Sequence, residues 1–210
     1  MDYKELIKSF TKDNYKNNVN LHIHSVFSDG ALDFEEAIKQ AKSKGYEYIS
    51  ITDHNTVEGY LKNKFQNENI IIPGVEFDCW HRTTFFHLLG YGIDVNSDEL
   101  KPFLAKNKRE TEADCVRIFA KRNIKKLIQA IHNAGGIAVL AHPACCWCLN
   151  LDKFVCELTI MGLDGLEVYY PYDRHRGIIK FHSRKTVEKI ADNHNLIKTG
   201  GTDCHTKVLN

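Results

Sequence analysis

The chain has 210 residues, with 28 Lys and Arg against 27 Asp and Glu, and 43% hydrophobic residues. That is the profile of an ordinary globular protein, and the near-zero net charge gives no global field for nucleic acid or an anionic membrane. No run approaches the roughly 18 apolar residues of a membrane span.

Residues 1–18 are polar and carry Lys4, Lys8, Lys12 and Lys16. They lack the apolar core of a secretory signal and read as a short N-terminal extension. A cytoplasmic location follows as an expectation, with the seven cysteines as reduced thiols. Val19–His24 is the first predicted strand. Asp33 then caps a helix through Phe34, Ala37, Ile38 and Ala41 that stops at Gly45. Tyr48–Thr52 is the second strand, and Val57 to Asn67 a helix. Ile70–Phe77 and Phe85–Tyr91 are the third and fourth strands. Ser97 to Ala134 reads as helix in two pieces, and Ile137–Ala141 as the fifth strand. Asp152–Met161 is a helix, Gly165–Tyr169 the sixth strand, Arg176–Asn193 a helix and Leu196–Thr199 the seventh strand. Apolar strands alternating with helices predict a mostly parallel sheet under helices, in one domain over 1–210. Seven strands in this length favour a compact (β/α)7 barrel over an open sheet.

The chemistry sits at the ends of the apolar runs. His22 and His24 end the first, followed by Asp29; Asp53 and His54 end the second; Glu76 ends the third. His87 lies in the fourth, His142 ends the fifth, Glu167 is in the sixth, and Asp203 and His205 follow the seventh. In a (β/α) barrel the C-terminal strand ends meet at one mouth, where catalytic groups collect. His22 and His24, two apart on a strand, point to one face. Imidazoles mixed with carboxylates suit Zn, Mn or Fe, and a carboxylate can bridge two ions. One such histidine alone is more often a satisfied polar residue; successive strand ends bearing ligand types are not.

These segments resemble the PHP family, the polymerase and histidinol phosphatase domains. Leu21-His22-Ile23-His24-Ser25 with Ser28-Asp29-Gly30, Thr52-Asp53-His54-Asn55-Thr56, and Gly74-Val75-Glu76 with His87-Leu88-Leu89-Gly90-Tyr91 carry the likeness. So do Ala141-His142-Pro143 and Gly201-Thr202-Asp203-Cys204-His205. The resemblance implies a distorted seven-stranded (β/α)7 barrel with a site for two to three divalent ions. It implies one ion on His22, His24, Glu76 and Asp203, and a second sharing Glu76 with His87 and His142. A third would sit on Asp29, His54 and His205, with Asp53 orienting a ligand histidine. Three departures stand out. Asp94 to Ala134 is long enough for only one or two helices, so any lid is reduced. Ala144-Cys145-Cys146-Trp147-Cys148 stands where relatives often carry a polar or basic loop. The sequence stops five residues after His205, where relatives usually continue, and the barrel end is expected to be open or completed by another chain.

The expected reaction is hydrolysis of a small phosphate ester, of nucleotide or histidinol phosphate type. A water between two ions would lose its proton and attack phosphorus, with Glu76, Asp203, His205 and Asp53 at the reacting centre. Arg174, His175 and Arg176, with Tyr172, follow the sixth strand and are candidates to clamp phosphate, set against a solvated charged loop as an equal reading. Long nucleic acid is not expected as a partner. The alternatives are a non-catalytic or regulatory metal-binding module, a nuclease acting on short oligonucleotides, and an amidohydrolase. The last normally needs a metal-bridging lysine, and Lys198 is the nearest candidate. Cys145, Cys146 and Cys148 lack a second pair at zinc-finger spacing and read as thiols at the pocket rim. Cys204 should point away from its two ligand neighbours.

Overall fold

A computed structural model describes residues 2–63, 65, 68–173 and 182–209. Asp2 caps the first helix, α1 (Tyr3–Ser9), by accepting from the Lys4 and Glu5 amides, and Thr11 with Asn14 forms a capping box for α2 (Lys12–Asn17). These helices are more than an extension. Ile7 is fully buried and joins Leu21, Ile72, Leu89, Tyr91, Ile137 and Val139 in a core cluster, with Tyr3, Phe10 and Tyr15 packed against it. Leu89 and Tyr91 follow His87 in two-residue steps along one strand, so they share its face. The cluster is therefore continuous with the face that carries the site.

The strands are β1 (Val19–Ile23), β2 (Tyr48–Ile51), β3 (Gly74–His81), β4 (Thr84–Tyr91), β5 (Ile137–Leu140), β6 (Gly165–Tyr169) and β7 (Ile197–Gly200). The helices after the first two are α3 (Phe34–Ser43), α4 (Glu58–Lys62), α5 (Arg109–Glu112), α6 (Asp114–Arg117), α7 (Ile124–Asn133), α8 (Leu151–Ile160) and α9 (Arg184–Asn193). Asp33, Asn123, Asn150 and Ser183 cap α3, α7, α8 and α9 through their side chains. The buried stripe of α7, Leu127, Ile128 and Ile131, fits its helical period. No described helix is long and apolar enough to cross a membrane.

The described elements make a mixed α/β single-domain fold, but its strands form two ladders and not one closed one. β1 pairs with β2 in parallel, and β3-β4-β5-β6-β7 form a second sheet. Parallel bridges stand at the seams: Ile23 with Cys204 on one side, Ile49 with Ile71 and His54 with Glu76 on the other. The expected β-α alternation fails between β3 and β4. Those strands form an antiparallel hairpin closed at Arg82-Thr83, and β4 is also antiparallel to β5. Arg82 takes φ 54°, which the tight turn demands. The third strand therefore runs past Phe77 to His81. The helix after β2 is one short turn, because the chain is extended at Asn63. The Asp94–Ala134 stretch breaks into a 3₁₀ turn at Lys101–Phe103 and three α-helices, where two pieces were expected.

Candidate metal centre

Glu76 is the centre of the site. Its side chain is fully buried on β3, and the His54–Glu76 bridge places β2 and β3 ligands side by side. Oε2 lies 3.2 Å from His22 Nε2, 3.2 Å from His24 Nε2 and 3.4 Å from His54 Nε2. Oε1 lies 3.1 Å from His87 Nδ1 and 3.4 Å from His142 Nε2. One carboxylate thus faces five imidazoles. Asp203 Oδ1 adds to the first group, 3.4 Å from His22 Nε2 and 3.2 Å from His24 Nε2. Asp29 gathers the rest: Oδ1 is 3.5 Å from His24 Nδ1 and 3.3 Å from His205 Nε2, and Oδ2 is 3.7 Å from His54 Nε2. All nine residues expected as ligands come together.

The local backbone is bent to achieve this. Asn55, His142 and Asp203 adopt φ of 57°, 27° and 51°, a region that L-residues other than Asn and Asp rarely enter. Gly201 passes so close to the His22 backbone that no Cβ would fit there. Asp53 does not reach a histidine ring. It accepts from the Ser25 amide (2.7 Å), the Ser25 hydroxyl (2.6 Å) and the Ser28 hydroxyl (2.6 Å), and so fixes the turn between His24 and Asp29. Burial raises its pKa, against these three bonds.

The electrostatics describe a cation site. Burial alone would lower the His22 pKa, but Glu167, Glu76 and Asp203 outweigh it and hold it well above its ordinary value. Against the same burial, Asp203 and Glu76 raise His24 to about 9, and Glu76 and Asp78 raise His87 to about 10. Burial opposes ionisation of Glu76 too, yet His22, His87 and His54 keep it well below the carboxylate range. His54 is the exception: burial pushes it down to about 4, despite Glu76 and Asp78 beside it, so it is neutral at pH 7. His22 Nε2 and His24 Nε2 face each other at 3.2 Å. Two such nitrogens are reconciled only by a proton or by another cation between them. Glu76 Oε1, His54 Nδ1, Asp78 Oδ1 and His87 Nε2 are buried with no aligned hydrogen-bond partner. Buried polar atoms in that state are rare, and this donor set, imidazole nitrogens with shared carboxylates, fits divalent ions. The ligand atoms of His22, His24 and Asp203, of Glu76, His87 and His142, and of His24, Asp29, His54 and His205 each lie within 4.8 Å of one another.

Four contributing residues were not singled out from the sequence. Asp78 is two residues past Glu76 on the same face of β3, and strand alternation carried the signal for it. Its Oδ1 lies 3.1 Å from His87 Nε2 and 3.4 Å from His54 Nδ1, and its Oδ2 accepts from the Asn55 amide. Glu167, noted on its strand but given no role, lies 2.8 Å from His22 Nδ1 through Oε1 and accepts from the His142 amide at 2.8 Å through Oε2. Tyr170 donates to Asp203 Oδ2 at 2.8 Å. Arg117 comes from α6, in a segment that carried no motif. Arg174, His175 and Arg176 lie outside the described residues. Lys198 turns to Asp192 at 2.7 Å, away from the cluster, so no lysine bridge forms there.

The PHP domain profile matches residues 20–136, more than half of the chain. The chain belongs to the PHP family. As a family member it is a metal-dependent hydrolase of phosphate esters. It is 22% identical over 256 residues to the phosphoribosyl 1,2-cyclic phosphate 1,2-diphosphodiesterase of Eggerthella lenta, covering 89% of this chain and 94% of that one. Two solved structures share its fold. An amidohydrolase from Chromobacterium violaceum, solved with sulfate and no metal, superposes with a TM-score of 0.73 at 21% identity, over 90% of this chain and 88% of that one. A putative metal-dependent phosphoesterase from Bifidobacterium adolescentis gives 0.71 at 21% identity, over 91% and 88%. At that identity the likeness is one of fold.

Beside the centre lies a cavity of about 450 Å³, lined by His87 and His142 together with Trp80, Phe85, Ile118 and Trp147. Cys145 and Cys146 also line it, so the Cys-rich loop is at the pocket rim as expected, and no disulfide forms. Cys204 turns its sulfur to the Val208 carbonyl (3.4 Å), away from the ligands.

Proposed function

We propose that this PHP protein is a phosphomonoesterase for a small compound whose leaving group carries a planar heterocycle. Two to three divalent ions, Mn, Fe or Zn, are expected: His22, His24, Glu76 and Asp203 would hold one and Glu76, His87 and His142 a second, with Asp29, His54 and His205 as the candidate third donor set. The observation that carries this reading is Glu76, buried and shared by five imidazoles, the arrangement a bridging ligand needs. Bound ions would supply the charge that neutralises phosphoryl oxygens and acidifies water. The chain's own residues orient that chemistry. Glu167 fixes His22 so that Nε2 faces inward, Tyr170 holds Asp203, and Asp53 sets the His24–Asp29 turn. We place the seven strands as a distorted barrel whose seams are single bridges, with residues 2–209 acting as one PHP unit. Arg174, His175 and Arg176 remain proposed phosphate contacts.

The apolar cavity beside His87 and His142 supports a heterocyclic leaving group, for which Trp80, Phe85 and Trp147 offer stacking faces. Histidinol phosphate and nucleoside monophosphates both carry a planar heterocycle on the leaving group. Turnover of such esters, compared with glycerol phosphate and a long RNA under separate Mn²⁺, Fe²⁺ and Zn²⁺, tests it. The heterocyclic esters should lead by about tenfold or more in kcat/KM, and Phe85→Ala should remove most of that lead, since an aromatic contact contributes about 1 kcal/mol. Tight, salt-sensitive binding of the RNA without turnover of any small ester would overturn the reading.

Metal uptake should be pH-dependent. In the metal-free protein His24 and His87 hold protons up to about pH 9 and 10. An ion must displace them, so binding at pH 7 releases protons and the apparent affinity rises from pH 6 to 8. Calorimetry in buffers of different ionisation enthalpy measures this, and uptake with no proton release would count against these ligands.

A further inference from the structure

We propose that Arg117 is a built-in cation for the third donor set: its guanidinium holds Asp29 and His54 in place of a divalent ion, and the chain keeps two ions at the donors around Glu76. This rests on the metal-dependent reading above.

The Arg117 side chain is only 6% exposed. A guanidinium carries only donors and stays charged, so when buried it must be answered by acceptors. Two of those it finds are the third set's own ligands, beside Asp78 and, at 3.5 Å, Asp114 Oδ1. Nη1 donates to Asp29 Oδ2, and Nη2 lies 2.8 Å from His54 Nε2. Nε is 3.4 Å from Asp78 Oδ2. Against a group with no lone pair, His54 Nε2 must be the acceptor. The lone pair that a third ion would need is therefore occupied, and so is one Asp29 oxygen. His205, on the other Asp29 oxygen, is the one third-set residue that Arg117 leaves alone.

The placement is anchored. Trp80 donates to the Ile118 carbonyl at 2.6 Å, one residue beyond Arg117. Arg122 donates to the Asp78 carbonyl at 2.6 Å, and Asn55 donates to the Glu110 carbonyl at 2.8 Å. The short helices between β4 and β5 are thus pinned to the two strand ends that carry His54 and Glu76. Electrostatics favour exclusion: a dication entering beside a fixed guanidinium, among the same carboxylates, meets direct repulsion.

The test is a metal count on the full chain, stripped by chelator, reloaded with Mn²⁺ and measured by elemental analysis with calorimetric affinities. Wild type should take two equivalents, with any third bound about a hundredfold more weakly. Arg117→Met, which keeps an apolar stem without the charge, should take three, the third at least about tenfold tighter than in wild type. The metal-free variant should also melt lower than wild type and recover on adding Mn²⁺, because Asp29 and Asp78 have lost their buried counter-charge. Should Arg117→Met not fold, the wild-type titration still decides. Three equivalents of similar affinity in wild type would overturn the inference. So would a variant that stays at two equivalents and merely raises KM, which assigns Arg117 to substrate. Failure of the wild type to bind any divalent ion would overturn both this inference and the phosphoesterase reading, whereas equal counts of three would leave the latter intact.

Discussion

Glu76→Gln is expected to lower kcat by on the order of 10³ or more, about 4 kcal/mol of transition-state stabilisation, and to reduce metal occupancy. The substitution keeps the size of the side chain but inverts half of its polarity. Oε2 faces His22, His24 and His54 while Oε1 faces His87 and His142. An amide would present an NH₂ to one of these groups, where ring nitrogens are needed as ligands. It would also lose the negative charge that offsets repulsion between neighbouring ions. Circular dichroism should show the fold retained, since the apolar clusters on either side of the strands do not depend on this charge. Cys146→Ser is the control. Cys146 is a buried thiol at the cavity wall and not a ligand, so turnover should stay within a few-fold of wild type. Near-normal turnover in Glu76→Gln together with its loss in Cys146→Ser would place the chemistry at the Cys-rich loop.

The candidate ligands were legible in the sequence because most stand at or just past the end of an apolar run, with His87 inside one, and strand ends converge whatever the loops do. His22 with His24, and Glu76 after Val75, needed only the strand period. The same period would have found Asp78, but the predicted third strand ended at Phe77, before the alternation reached it. The hairpin was misread for a related reason. Trp80 to Phe85 carries no Asn-Gly or Asp-Gly signal, and Arg82 supplies the positive φ instead. Residues 1–18 looked like an extension because Lys and Asn dominate them. Leu6, Ile7 and three aromatics are what bury them, and five apolar positions among many polar ones give a weak pattern. Arg117 had no local signature at all. Its role comes from the docking of Ile118 and Arg122 on β3, a tertiary effect that spacing along the chain does not encode.

Glu167→Ala should weaken metal binding by about 10- to 100-fold, the range for removing the partner that orients a ligand histidine. Glu167 is fully buried and ties two donor groups with one carboxylate. Through Oε1, 2.8 Å from His22 Nδ1, it holds the proton on that nitrogen and leaves Nε2 to face Glu76 and Asp203. Through Oε2 it accepts the amide of His142, whose φ of 27° and following proline make an otherwise unfavourable turn. Removing it strands the buried His22 ring N–H and the part-buried His142 amide, at up to roughly 1–3 kcal/mol each, so the metal-free variant should also unfold at lower denaturant. Glu167→Gln separates the two roles. Its carbonyl can still accept from one donor, which preserves part of the stability, but it no longer carries the charge that favours a cation at His22. It should therefore fold better than the alanine variant while remaining clearly weaker in metal affinity. Tyr170→Phe, which removes the bond to Asp203, should change that affinity by no more than a few-fold, since a net hydrogen bond contributes about 1 kcal/mol. Metal titrations of the three variants, with urea unfolding of each metal-free form, measure the order. An alanine variant that binds metal as tightly as wild type would remove Glu167 from the centre and leave it a role in the His142 turn alone.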